Sequence, residues 1–140
     1  MEQADKFAAK LKQFEAALLG FTELLATDLL PFEPKIADGL RNGQLQKFEY
    51  CAELAWKTIR VYLIANDGVE AQSPKAAMKA FYRLGHLDEA QYELAIELIE
   101  ARNLMSHLYQ TKIFEQVYGR LIVYAALLQA LKERLQALTA

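Results

Sequence analysis

The chain has 140 residues, of which 54% are hydrophobic, and its 18 acidic and 16 basic residues give a formal net charge of −2. This length favours a single domain over residues 1–140 that buries a core without disulfide or metal support. The small negative charge excludes a global positive field that would hold nucleic acid by charge alone. Any RNA binding must therefore be local.

Cys51 is the only cysteine, which excludes an internal disulfide and a cysteine-cluster zinc site and suits a reducing compartment. The first residues lack the basic flank and apolar core of a signal peptide. No apolar stretch approaches the ~20 residues that a membrane span requires. We therefore expect a cytoplasmic protein without a metal, a cofactor or a membrane partner, in which Cys51 is a small core residue.

The first predicted helix covers residues 7–25, where apolar residues recur at spacings of three and four, the helical period. Pro31 and Pro34 then interrupt the chain and predict that residues 31–43 form the longest connection between helices. The apolar stripe of this helix consists of Phe7, Leu11, Phe14, Leu18, Phe21 and Leu25.

A second long helix is predicted from about Gln44 to Asn66, where Asn66-Asp67-Gly68 supplies a stop. Ser73-Pro74 has the pattern of an N-cap followed by proline at the first helical position, and Gly85 that of the residue just past a helix end. A short helix is therefore predicted over residues 74–84. The stripe of the long helix is Phe48, Ala52, Ala55, Ile59 and Leu63.

Asp88 and Gln91 resemble a capping box that begins another long helix, which Leu94, Leu98, Ala101 and Met105 continue. One last helix is predicted over residues 114–138. Because the other connections are short, neighbouring helices should be antiparallel. The sequence thus predicts an all-α fold, an antiparallel up-down four-helix bundle with one additional short helix. The stripe of the last helix is Phe114, Val117, Leu121, Tyr124, Leu128, Leu131, Leu135 and Leu138.

The residues with the most chemical character form one run, Arg102-Asn103-Leu104-Met105-Ser106-His107-Leu108-Tyr109, with the pattern R-x4-H-x-Y. On an ideal helix His107 lies about 140° from Arg102. The two side chains can meet at one phosphate only if the helix frays near Ser106 or if two copies of the chain assemble the site. Asn103 and His107, four residues apart, share a face and could form a hydrogen bond that fixes the imidazole tautomer.

Charge is unevenly distributed before this run. Residues 88–100 carry five acidic side chains and no basic one, whereas residues 71–87 carry Lys75, Lys79 and Arg83 and no acidic one. Either face could dock a partner, and the basic face could also bind RNA phosphates. Ordinary solvated helix faces are the alternative interpretation.

R-x4-H-x-Y is the signature of the HEPN superfamily of small helical nucleotide- and RNA-handling proteins. The chain resembles one HEPN branch, the nucleotidyltransferase substrate-binding proteins, which pair with a minimal nucleotidyltransferase. Matching blocks at residues 48–58, 73–85 and 102–109 keep their order along nearly the whole chain. The chain has no Gly-Ser or Asp-x-Asp pair of its own, so it is not the nucleotidyltransferase.

The resemblance implies a homodimer in which two motifs face each other, so that Arg102 and His107 of both chains surround one phosphate. In active HEPN proteins the motif resembles a metal-independent endoribonuclease site. His107 would act as general acid or base, Arg102 would bind the phosphate, and Asn103 and Ser106 would orient either group. In some relatives the nucleotidyltransferase acts as antitoxin and attaches AMP to the motif tyrosine, here Tyr109.

Three functional hypotheses follow. The main one is a ribonuclease toxin that acts on RNA and is silenced by its minimal nucleotidyltransferase partner. The alternative is a non-catalytic subunit that binds a nucleotide or substrate in the same groove and presents it to that partner. A helical interaction module with a vestigial motif is the third.

Overall fold

The regular elements of the computed structural model, which describes residues 2–139, are six α-helices and one 3₁₀ helix, with no strand in that range. The all-α fold predicted from the sequence is confirmed. The α-helices are α1 (Glu2–Leu25), α2 (Pro34–Asp67), α3 (Pro74–Arg83), α4 (Glu89–Asn103), α5 (Thr111–Tyr118) and α6 (Leu121–Ala137), and the 3₁₀ helix covers Leu104–His107.

Helices α1 and α2 form an antiparallel pair. The Thr58 hydroxyl lies 3.4 Å from the carbonyl oxygen of Lys10, and the Gln44 amide donates to that of Leu24 at 3.0 Å. Residues late in α2 therefore lie against residues early in α1, as an antiparallel arrangement requires. Both Thr58 and Gln44 are buried, so these bonds satisfy polar groups inside the helix interface.

The predicted apolar stripes form the core. All five stripe residues of α2 are completely buried, whereas the stripe ends at Leu25, Phe114 and Leu138 are half-buried. Phe48 packs its ring centroid 5.3 Å from that of Tyr124. Cys51 is also buried, as predicted, and burial raises the pKa of its thiol to about 12.

The predicted turn and cap residues around α3 and α4 are confirmed. Ser73 accepts a hydrogen bond from the Ala76 amide at 3.2 Å and begins α3 at Pro74. Asp88 and Gln91 form a reciprocal capping box, with bonds of 2.7 and 3.0 Å. These local interactions depend on residues three positions apart, which is why the sequence reveals them.

The predicted connection over residues 31–43 is wrong, because α2 begins at Pro34 and the connection covers residues 26–33. Pro34 occupies the first helical turn, where its missing N–H removes no helical hydrogen bond and its fixed φ favours the helix. Proline thus begins the helix that it was expected to prevent.

The single helix predicted over residues 114–138 is also wrong. Helix α5 ends at Tyr118, and α6 begins at Leu121. At Gly119 an added Cβ would lie 3.1 Å from the Glu115 carbonyl oxygen, so the close backbone approach at this break favours glycine. The Tyr118 hydroxyl then donates to the buried Gln44 at 2.7 Å and ties α5 to α2.

Within residues 2–139, no helix combines the length and apolar character needed to cross a membrane.

Candidate functional site

Helix α4 ends at Asn103 instead of continuing through Met105, and the chain tightens into the 3₁₀ helix. At three residues per turn, His107 lies roughly 220° around the axis from Arg102, which is the same separation of about 140° measured in the other direction. No hydrogen bond joins Arg102 and His107 in the part of the chain that the structure describes. The helix therefore frays where the sequence allowed, but fraying alone leaves the two side chains on opposite sides.

Arg102 is held by Glu53, which lies on α2. The guanidinium Nη2 donates to the Glu53 carboxylate, and Nη1 donates to the Asn103 side-chain oxygen at 3.2 Å. The side chains of Arg102 and Glu53 are only 29% and 27% exposed. The Asn103 oxygen thus meets Arg102, and the expected Asn103–His107 hydrogen bond is not formed among the described residues.

Glu53 also pairs with Lys57, one turn further along α2, at 3.3 Å. Burial acts to raise the pKa of the Glu53 carboxyl, but the Lys57 hydrogen bond and the Arg102 charge outweigh it, so that the pKa lies below its usual range. Two cations therefore share one carboxylate, which leaves a net positive charge beside the motif. The sequence did not reveal that Glu53, on another helix, holds Arg102.

The indole of Trp56 packs under this ion-pair cluster. The indole N–H of Trp56 helps to lower the pKa of Glu53. It forms no hydrogen bond of normal geometry with any of residues 2–139. The guanidinium of Arg60 lies over the indole ring, 5.6 Å from its centroid.

The other polar residues of the run face solvent, whereas Leu104, Met105 and Leu108 pack against the core. Asn103, Ser106 and His107 are exposed, and Tyr109 is 80% exposed. The ring centroids of His107 and Tyr109 are 6.3 Å apart. An imidazole and a phenol are thus presented together on the surface, where a ligand or a second protein can reach them.

A cleft of about 560 Å³ borders the start of the 3₁₀ helix, with Asn103 and Leu104 at one edge. The cleft is lined by Lys75 from the predicted basic face and by Glu97 and Glu100 from the predicted acidic face. The basic and the acidic face therefore each contribute side chains to one cleft. The complete lining is Lys75, Glu97, Glu100, Ala101, Asn103, Leu104, Gln116, Val117, Arg120 and Tyr124.

Glu97, Arg120 and Tyr124 form a tight cluster in this cleft. Arg120 donates two hydrogen bonds of 2.9 Å to the Glu97 carboxylate, and the Tyr124 hydroxyl donates a third at 2.6 Å. The Arg120 hydrogen bond keeps the pKa of Glu97 low, while burial and the adjacent carboxylate raise the pKa of Tyr124. The hydrogen bond from Tyr124 to Glu97 holds α6 against α4. The charges of Glu97 and Arg120 neutralise each other, so the cluster has little electrostatic attraction for an anion.

Within residues 2–139, no group of three or more histidine, cysteine, aspartate or glutamate side chains is arranged to hold a metal ion.

The described residues thus form a small all-helical protein with a cationic cluster at the end of α4. The family model described as nucleotidyltransferase substrate binding protein like matches residues 9–137, and the chain belongs to that family.

Solved structures resemble the chain, and two of them illustrate the similarity. A protein from Thermus thermophilus is 30% identical, with a TM-score of 0.77, and the match covers 87% of this chain and 98% of that one. A Haemophilus influenzae protein, described as revealing the fold of a substrate binding domain of a nucleotidyltransferase, is 21% identical, with a TM-score of 0.62. That match covers 95% of this chain and 98% of the other, and it shows the shared fold. Comparison with curated proteins finds no match.

Proposed function

We propose that the chain is a non-catalytic subunit that binds a nucleotide, or another anionic substrate, and presents it to a separate minimal nucleotidyltransferase. The family match over residues 9–137 is the observation that carries this proposal. The chain lacks the Gly-Ser and Asp-x-Asp pairs expected of the enzyme, so the partner would supply the catalytic residues. The non-catalytic subunit, which was the alternative hypothesis from the sequence, is therefore preferred to the ribonuclease toxin.

The electrostatics of the motif support binding of an anion. Arg102 and Lys57 share the single carboxylate of Glu53, and the exposed His107 lies a short distance along the chain. A phosphate that approached this cluster would meet an uncompensated positive charge. Glu53 and Asn103 orient the guanidinium of Arg102 and use only two of its five N–H donors, so the others can donate to a bound phosphate.

The test is to co-express the chain with a minimal nucleotidyltransferase, sought first in the adjacent gene, and to titrate ATP into the purified proteins. We expect the two proteins to co-purify and Arg102→Ala to weaken ATP binding at least tenfold. Lys12→Ala, which removes an exposed cation of α1, is the matched control and should leave the affinity unchanged. Failure to co-purify, together with no measurable ATP binding, would contradict the proposal.

The exposed imidazole of His107, five residues after Arg102, favours a second candidate function, a metal-independent endoribonuclease of the HEPN type. Since Arg102 and His107 do not converge within one chain, such a site would require a homodimer with two facing motifs. The dimer should then cleave RNA in EDTA, and His107→Ala should abolish cleavage without unfolding the protein. Cleavage that survives His107→Ala, or that occurs in a monomer, would exclude this assignment.

Tyr109 is a candidate for modification by the partner, in the manner of a toxin–antitoxin pair. Its phenol is 80% exposed and lies beside His107, so a second active site can reach it. Its oxygen would attack the α-phosphorus of ATP, with loss of the phenolic proton and release of pyrophosphate. Mass spectrometry after co-expression should find AMP on Tyr109 and none on Tyr109→Phe; an unmodified wild-type chain would argue against this regulation.

A further inference from the structure

A second cavity lies on the other side of the motif run, between the start of α2 and helix α5. It encloses about 550 Å³, within the range of about 300–1,000 Å³ typical of ligand pockets. Leu108, which stands between His107 and Tyr109, forms part of its wall. The full lining is Asp38, Arg41, Leu108, Thr111, Phe114, Glu115 and Tyr118.

Two parallel aromatic rings line this cavity. The rings of Phe114 and Tyr118 are inclined by only 9°, with centroids 5.8 Å apart, and both side chains are half-buried. The hydrogen bond from the Tyr118 hydroxyl to the buried Gln44 fixes the orientation of the second ring. Parallel rings whose orientation is fixed in this way are suited to stacking or edge contact with a nucleobase.

The polar groups of the cavity complement a base and its sugar. Arg41 is half-buried and makes no hydrogen bond or ion pair with another residue of the described chain, although it lines the cavity. Asp38, three residues earlier on α2, lies on the same side of the helix. An arginine can donate to ring nitrogens or carbonyl groups, and a carboxylate can accept from amino or ribose hydroxyl groups.

We propose that this cavity binds the nucleobase of the nucleotide whose phosphates are held at the motif. This inference rests on the proposed nucleotide-binding function and assigns the base to a defined position. Leu108 directly follows His107 in the motif run and its side chain lines the cavity, so the cavity adjoins the end of the run, six residues after Arg102. The α2 start and α5 are thereby given a binding role that the R-x4-H-x-Y pattern does not indicate.

The test compares ATP with inorganic tripolyphosphate, which carries the same phosphates without base or sugar, by calorimetric titration of the full chain. We expect ATP to bind at least tenfold more tightly. Phe114→Leu should remove most of that advantage, about tenfold, and leave the tripolyphosphate affinity unchanged. Tyr92→Leu is the matched control, because Tyr82 and Tyr92 form another parallel pair, with centroids 4.6 Å apart, outside the cavity.

A second measurement covers the case in which Phe114→Leu unfolds the protein. In wild type, ring resonances of Phe114 and Tyr118 should shift on addition of ATP and not of tripolyphosphate, and Arg41→Gln should reduce ATP affinity alone. Equal binding of ATP and tripolyphosphate, or unshifted rings, would overturn the base subsite and leave phosphate binding at the motif intact. If neither anion binds, the proposed function fails together with this inference.

Discussion

The helical core and the run from Asn103 to Tyr109 make opposite use of their side chains. Core residues such as Phe48 are completely buried, whereas the run presents an amide, a hydroxyl, an imidazole and a phenol to solvent. Burial makes the first region important for stability, and exposure makes the second available to ligands. The difference indicates that stability and binding can be changed separately in this chain.

The largest effect on stability should come from Phe48→Ala. This substitution removes a ring that contacts Phe21 and Tyr124, and the resulting cavity should lower the free energy of unfolding by about 3–5 kcal/mol. Urea denaturation measures the change. Phe32→Ala, at a side chain 43% exposed, is the control, with an expected loss below about 1 kcal/mol. Equal losses in the two variants would show that Phe48 is not central to the core.

Tyr124→Phe should have the next largest effect. The variant keeps the buried ring but removes the donor to the ionised Glu97, which should lower the free energy of unfolding by about 1–3 kcal/mol. Tyr109→Phe removes an exposed hydroxyl and should change it very little. If thermal denaturation finds the two variants alike, the Glu97 cluster does not stabilise the contact between α4 and α6.

A smaller effect is expected from Glu53→Gln, which weakens the pairing with Arg102 and Lys57 by about 1 kcal/mol at pH 7. The folded-state pKa of Glu53 lies below its ordinary 4.5, so this stabilisation is present above pH 4.5 and is lost as the pH falls through the folded value. The difference from wild type should therefore shrink between pH 5 and about pH 3. Glu23→Gln, at an exposed position, should show no such difference. A gap that persists in acid would mean that the ion pair is not its source.

His86 should give a weaker pH dependence on the acidic side of neutrality. Burial and the charge of Arg134 lower the pKa of the imidazole below 6.5, although Asp67 opposes the shift. Stability is therefore fully present above pH 6.5 and decreases as the pH falls through the folded pKa. His86→Gln should flatten the stability profile between pH 7 and 5, as measured by urea midpoints. An unchanged slope would show that another group is responsible.

Local patterns predicted much of the fold. The apolar stripes and the caps at Ser73 and Asp88 depend on neighbours a few residues away, and the structure confirms them. The pairing of Arg102 with Glu53 was not predicted, because 49 residues separate them and only the packing of α4 on α2 brings them together. The break at Gly119 was missed for a related reason, since an uninterrupted apolar period continues across it.

The motif residues themselves were identified from the sequence, but their relative placement was not. The pattern R-x4-H-x-Y gives only the spacing of these residues along the chain. The direction in which each side chain points depends on the end of α4 at Asn103 and the change to a 3₁₀ helix. Nor does the pattern include Phe114 or Arg41, which reach the neighbouring cavity from other helices. Sequence spacing therefore indicates the candidate residues of one segment, while tertiary packing decides which residues of other helices lie beside them.

The most direct test of the separation between core and motif is to measure ATP affinity and the free energy of unfolding together for His107→Ala. His107 is exposed, so the account predicts a change in unfolding free energy within about 0.5 kcal/mol and a loss of ATP affinity of about tenfold. Unchanged ATP affinity, or a parallel loss of affinity and stability, would contradict it.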